Sequence, residues 1–219
     1  IKDYPLVQET LANMRSEQET MLSGNFYLVA MQDRIDDGQA TEEEQGFFRM
    51  ALNLNKTRMA RAGRWACVEG IEILGGNGAL ETFPVLPRLL RAAIVYENWE
   101  GTHNTLYMQI LRDMKRYEVH KAFFGHLDGL VEVAKQSQEA ERADVVARRL
   151  GELRQEVEAL LEKPLPVASL AMRRVVDPLA DAFYAAVRVW ERAFFGAPDS
   201  LADEDSLEQY LDRHLRQRE

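Results

Sequence analysis

The chain has 219 residues, 46% hydrophobic and 29% charged, a composition expected of a soluble globular protein with one large domain or two small ones. A net charge of −9 repels phosphate backbones and disfavours non-specific nucleic-acid binding. Apolar runs of about 18 residues are absent, which argues against a membrane-spanning helix, and a single cysteine, Cys67, excludes an intramolecular disulfide and zinc sites built on several thiolates.

No metal site is expected. Cys67, among Trp65, Ala66 and Val68, reads as a buried, inert thiol. The opening Ile1-Lys-Asp-Tyr-Pro5 has no charged leader before an apolar core, and with a reduced cysteine this gives a cytoplasmic expectation.

The chain reads as helical almost throughout. Asp3 and Pro5 start a first helix, because Pro at the first helical position gives up no useful N–H. Gly38 suits a left-handed stop. Thr41-Glu-Glu-Glu44 forms a capping box that opens a second long helix, which Gly75 and Gly76 end. Pro84 and Pro87 confine the next stretch to a short helix, Arg88 to Ala93, and a further helix runs from Glu100 to about Arg116. Val119 to Lys135 and Glu139 to Glu162 are amphipathic, and Lys163-Pro-Leu-Pro166 separates them from a helix over Ala168 to Phe195. Asp177-Pro178 should kink or break that segment. Gly196 to Ser200 reads as a loop and Ser206 to Arg216 as a final helix. The fold class is therefore all-α, an antiparallel bundle of long helices with an extra C-terminal helical extension.

Two segments carry candidate chemistry. Gly75-Gly-Asn-Gly78 exposes backbone that could cradle a phosphate or a flavin, or it simply ends a helix. Glu100 lies between Trp99 and Gly101, where partial burial would suit a general base; the alternative is a helix-start glutamate favoured by the dipole. Arg58, Arg61 and Arg64 line one helix side, as a salt-bridged face or as a polyanion site. Phe123, Phe124, Phe194 and Phe195 read as core packing, or as anchors for a partner.

In order and with short spacings, Glu72-Ile-Leu-Gly-Gly-Asn-Gly78, Phe83-Pro84, Arg88-Leu-Leu-Arg-Ala-Ala93 and Trp99-Glu-Gly-Thr102 occur together. This block resembles the C-terminal helical domain of the acyl-CoA dehydrogenase family. Trp99-Glu-Gly-Thr-His-Asn104 is similar to the base loop of the branch containing the alkylation-response proteins, which reads Trp-Glu-Gly followed by a small residue and then Asn. The resemblance covers about residues 5 to 116, and it implies a domain 1–116 lacking the family's first helix, followed by an extension, 117–219.

The resemblance further implies an FAD-dependent α,β-dehydrogenation of an acyl-CoA thioester. Glu100 would remove the α-proton, and its backbone N–H would polarise the thioester carbonyl. Thr102 and Asn104 fall where the family contacts FAD after the base. Gly75 and Gly76 fall in the turn that meets the FAD of a neighbouring subunit. Glu72 falls where many members carry Gln, and a carboxylate there donates no N–H unless protonated. Trp99 would shield the flavin edge, while His103 tunes the pocket or is a plain polar helix residue. The implied partners are an electron-transfer flavoprotein and further copies of the chain, as a homodimer or homotetramer. The family's other two domains do not match this sequence, so the chain reads as a C-terminal fragment that alone binds FAD weakly and turns over nothing. The alternatives are a flavoprotein of the alkylation or stress-response branch with a nucleic-acid role, and a non-enzymatic helical oligomerisation module.

Overall fold

A computed structural model describes residues 1–83, 85–196 and 201–216. Helix α1 spans Pro5–Asp36 with Pro5 in its first turn, and Gly38 follows at φ 68°. Helix α2 spans Glu42–Leu74. Its capping box is complete: the Glu44 N–H donates to Thr41 Oγ1 at 3.1 Å, and the Thr41 N–H donates to Glu44 Oε2 at 2.8 Å. Such a cap stabilises by about 1 kcal/mol. A 3₁₀ turn, Gly75–Ala79, closes α2. Gly78 is required there, since a Cβ would lie 2.3 Å from the Ile71 carbonyl oxygen.

Helix α3 spans Leu86–Asn98, five residues beyond the expected end at Ala93. Pro87 sits in the first turn, where it removes no hydrogen bond, so it starts the helix instead of confining it. Helix α4 spans His103–Tyr117, with Thr102 as its N-cap. Glu100 thus precedes the helix in a turn and does not open it. Helices α5 (Val119–Lys135) and α6 (Ala140–Leu161) follow the sequence pattern closely.

Helix α7 spans Leu165–Phe195 without interruption. Pro178 does not break it, because the helix is packed by α1, α2, α4, α5, α6 and α8, which together outweigh one lost backbone bond. Its residues from Leu179 to Val187 are all buried, the pattern of a helix covered on every side. Helix α8 spans Leu201–His214, starting ahead of the expected Ser206. Ala197 to Ser200 of the expected loop, and Pro84, lie outside the described residues.

The helices form an all-α bundle with one continuous core. Met21, Leu28, Phe47 and Leu54 from the first two helices meet Phe123, Leu127, Leu150, Phe183 and Tyr210 from the later ones. Among the described residues no helix is long and apolar enough to cross a membrane, and no group of His, Cys, Asp and Glu could hold a metal ion.

Candidate active site around Glu100

The C-terminus of α3 and the N-terminus of α4 are joined by Trp99 to Thr102, and this turn folds back onto the middle of α2. Glu100 takes a left-handed conformation at φ 59°, and Gly101 follows at φ 116°. A non-glycine residue held there stores about 1–3 kcal/mol of strain. The turn is braced from α2 by Lys56, whose Nζ donates to the Glu97 carbonyl and to the Gly101 carbonyl, each at 2.9 Å. Hydrogen bonds from a charged group contribute about 1.5–3 kcal/mol each, enough to hold the strained residue. Arg64 supports the same turn, donating from Nε to both Glu97 carboxylate oxygens at 3.0 Å.

Beside the turn lies a cavity of about 470 Å³ lined by Lys56, Met59, Ala60, Gly63, Ala93, Tyr96, Trp99 and Glu100. Its α2 wall follows helical spacing, with Lys56, Met59, Ala60 and Gly63 on one face. The small residues at 60 and 63 leave the hollow. Tyr96 and Trp99, also in its lining, pack edge to face on each other, ring centroids 6.2 Å apart. Glu100 is exposed, not partly buried as expected, because its apolar neighbour Trp99 is itself 65% exposed and covers nothing. Among the described residues no backbone carbonyl accepts from the Glu100 N–H.

Thr102 leaves the first turn of α4 without a side-chain cap; its hydroxyl lies 3.2 Å from the Thr105 hydroxyl. Asn104 is exposed, and its Oδ1 accepts from Arg173 at 3.1 Å, which leaves the amide N–H groups available. His103 lies part-buried against Tyr107, with its Nε2 3.5 Å from Glu97, too long for a hydrogen bond. Burial and the nearby Arg61 charge pull the His103 imidazole below its ordinary value, so it is neutral near pH 7.

The remaining expected residues are elsewhere. Eighteen residues of α2 separate Lys56 from Leu74, about 27 Å at the helical rise of about 1.5 Å per residue. Glu72, Gly75 and Gly76 are therefore not brought to Glu100, Thr102 and Asn104. All three are exposed, and the Gly75 N–H is spent on the Glu72 carbonyl. Gly75 takes φ 59°, and a Cβ at Gly75 or Gly76 would meet nothing within 4 Å, so this backbone is open to approach.

Other readings of the sequence resolve clearly. The arginine strip is a salt-bridged face: Arg58 pairs with Glu17 and Asp181, Arg61 with Asp177 and Arg64 with Glu97. Cys67 is only part-buried, not buried as expected, because its stretch of α2 is covered on one side alone; what burial it has pushes its thiol up. Phe123 and Phe124 are core residues. Phe194 and Phe195 are exposed on the last turn of α7 and not enclosed in the core: Phe194 stacks on Trp190, and Phe195 meets both rings edge to face. The residue that sequence reasoning missed is Lys56: one lysine on an amphipathic helix carries no pattern, although the small-residue face it shares with Ala60 and Gly63 was visible.

Comparison with known proteins gives this arrangement its context. The family model described as "Acyl-CoA dehydrogenase, C-terminal domain" matches residues 1–115. "Acyl-CoA dehydrogenase family member 11" of Caenorhabditis elegans is 31% identical over 109 residues, covering 50% of this chain and 18% of that protein. "Putative acyl-CoA dehydrogenase AidB" of Escherichia coli (strain K12) is 30% identical over 113 residues, covering 51% and 21%. The matched half of the chain thus spans about a fifth of the length of these relatives. Among solved structures, the Caenorhabditis elegans ACDH-11 complex with C11-CoA superposes with a TM-score of 0.87 at 22% identity, over 98% of this chain and 37% of that one. The apo form of Bd2924 gives 0.71 at 22% identity, over 89% and 34%. The fold likeness to ACDH-11 runs past residue 115 to almost the whole chain, so the later helices are part of a shared architecture. By the match over its first 115 residues, the chain belongs to the acyl-CoA dehydrogenase family, to whose C-terminal domain that segment corresponds.

Proposed function

We propose that this chain supplies the catalytic-base face of an FAD-dependent dehydrogenase that forms an α,β-unsaturated thioester from an acyl-CoA. The observation that carries the reading is the Glu100 turn: a carboxylate held in left-handed backbone at the edge of a mostly apolar cavity, with its own N–H unpaired by backbone. The solved relative that is a complex with C11-CoA supports the substrate class.

The residues present fit one side of a flavin nucleotide. The Thr102 hydroxyl, the free Asn104 amide and the uncapped amides of α4 suit its polar edge, and Tyr96 and Trp99 suit its ring system. Bound there, the flavin would accept the β-hydrogen as hydride. The Glu100 carboxylate takes the α-proton, while the Glu100 N–H donates to the thioester oxygen as negative charge builds on it. Met59, Ala60 and Ala93 give the acyl segment an apolar wall next to the carboxylate. Gly75 and Gly76, about 27 Å away along α2, would face the flavin of a second copy. That arrangement favours a homodimer or homotetramer, with electrons leaving to an electron-transfer flavoprotein. The isolated chain holds only part of each flavin site, so it retains FAD weakly.

The direct test is exchange of the acyl-CoA α-protons with D2O in the intact flavoprotein. Exchange in the wild type, reduced about 10²–10⁴-fold in Glu100→Gln, is the expected result. Equal exchange in both rejects Glu100 as the base.

A further inference from the structure

We propose that Lys56 is a positioning residue for the proton abstraction: its ammonium ties together the two ends of the turn that carries Glu100 and sets the carboxylate at the cavity. The inference rests on the reading of Glu100 as the base.

Three observations converge on it. First, the two carbonyls that Lys56 holds belong to Glu97 and Gly101, on either side of Glu100, and both distances are 2.9 Å. The turn cannot open while both bonds stand. Second, the Glu97 carbonyl is one of the last of α3, where the helix leaves acceptors without partners and presents the negative end of its dipole. A cation there satisfies the carbonyl and fixes the direction in which the chain leaves the helix. Third, Lys56 is part-buried and lines the same cavity as Glu100. Burial pulls the ammonium below its ordinary value, against the charges of Glu100 and Glu97.

Neighbouring groups show that the brace is specific. Arg64 holds the Glu97 side chain, not the turn's backbone, and the His103 nitrogens have no hydrogen-bond partner among the described residues. Among the described residues Lys56 alone bridges across Glu100. Its ammonium needs no contact with substrate for this role.

The test uses the intact FAD-loaded protein and compares Lys56→Met, Lys56→Arg and Glu100→Gln. Anaerobic flavin reduction is followed at saturating acyl-CoA, with the rate constant expressed per bound flavin. Lys56→Met is expected to lower that constant about 10²-fold, the effect of roughly 1 Å of misplacement, with flavin content and half-saturating acyl-CoA little changed. Lys56→Arg, which keeps forked donors, is expected to recover part of the rate. A merely structural lysine would lower flavin content or melting temperature and leave the constant per bound flavin alone. Where the Met variant does not hold flavin, Lys56→Gln, with donors for one carbonyl, is expected to fall between it and the wild type. A wild-type constant in the lysine variants, with Glu100→Gln inactive, overturns the inference and leaves the base assignment standing. An active Glu100→Gln overturns both.

Discussion

His214, near the end of α8, is the residue whose chemistry most directly sets a measurable property. Its Nε2 lies 2.6 Å from Glu17 Oε1 on α1, and its Nδ1 lies 3.3 Å from Asp181 Oδ2 on α7. Arg58 from α2 contacts the same two carboxylates, each at 2.8 Å. Burial pulls the imidazole down, but hydrogen bonds to Asp181 and Glu17 more than reverse this, raising it to about 9. Burial pushes the two carboxyls up, and His214 and Arg58 hold both below their ordinary values. A folded value above the unfolded one means that the histidine stabilises fully below about pH 6.5 and ceases to do so as pH rises through about 9. The difference is on the order of 3 kcal/mol. The carboxylates act in the opposite sense, stabilising above their unfolded values and losing that contribution as pH falls through the folded ones. Thermal melting across pH 6 to 10 is expected to show a fall on the alkaline side that His214→Ala flattens. An unchanged alkaline limb in that variant would contradict the bridge.

At the scale of the elements, α1 and α7 approach closely enough that Gly24 has no room for a side chain. A Cβ there would lie 2.4 Å from the Tyr184 ring, and that ring is fixed by a 2.8 Å hydrogen bond from its hydroxyl to Asn55 Oδ1. Gly24→Ala gains about 1 kcal/mol of helix propensity and loses about 1–3 kcal/mol to overpacking. The net expectation is a lower denaturation midpoint; a higher one would show that Tyr184 yields. Nothing in the sequence marked this contact, because a glycine inside a helical pattern shows neither its partner nor the distance. Local signals were legible where chemistry is local: the Thr41–Glu44 box, the left-handed Gly38 and the boundaries of α5 held to the residue. They misled where packing overrides propensity. Pro178 lies inside an unbroken α7, and Pro87 opens a helix longer than the one it was expected to confine.

The whole molecule shares one core across residue 116, near the end of the family match. Phe47 on α2 packs against Phe123 on α5 and Phe183 on α7, with ring centroids 6.0 Å apart in both pairs. Residues 1–116 alone would expose Phe47, Leu54 and Met50, each worth about 1.5–3 kcal/mol of burial. We predict that this truncated segment shows no cooperative thermal transition by circular dichroism, whereas residues 1–219 do. A sharp transition in the short segment would mean that it is a self-sufficient domain. The candidate site was legible as a motif but not as a geometry. Glu100, Thr102 and Asn104 do share one turn and helix start, yet Glu100 is exposed, and the glycine turn stands at the far end of α2. Spacing in sequence could not show that the Glu100 turn packs on the middle of α2, far from its glycine end, nor that Lys56 reaches back to brace it.

The role proposed for Glu100 is that of the base in a flavin-dependent acyl-CoA dehydrogenation. Its most direct test is anaerobic titration of the intact flavoprotein with short, long and branched acyl-CoAs, with Glu100→Gln alongside. Flavin bleaching by at least one acyl-CoA class, and its loss in the variant, is the expected result. Bound flavin that no acyl-CoA bleaches, or bleaching that survives in Glu100→Gln, would contradict it.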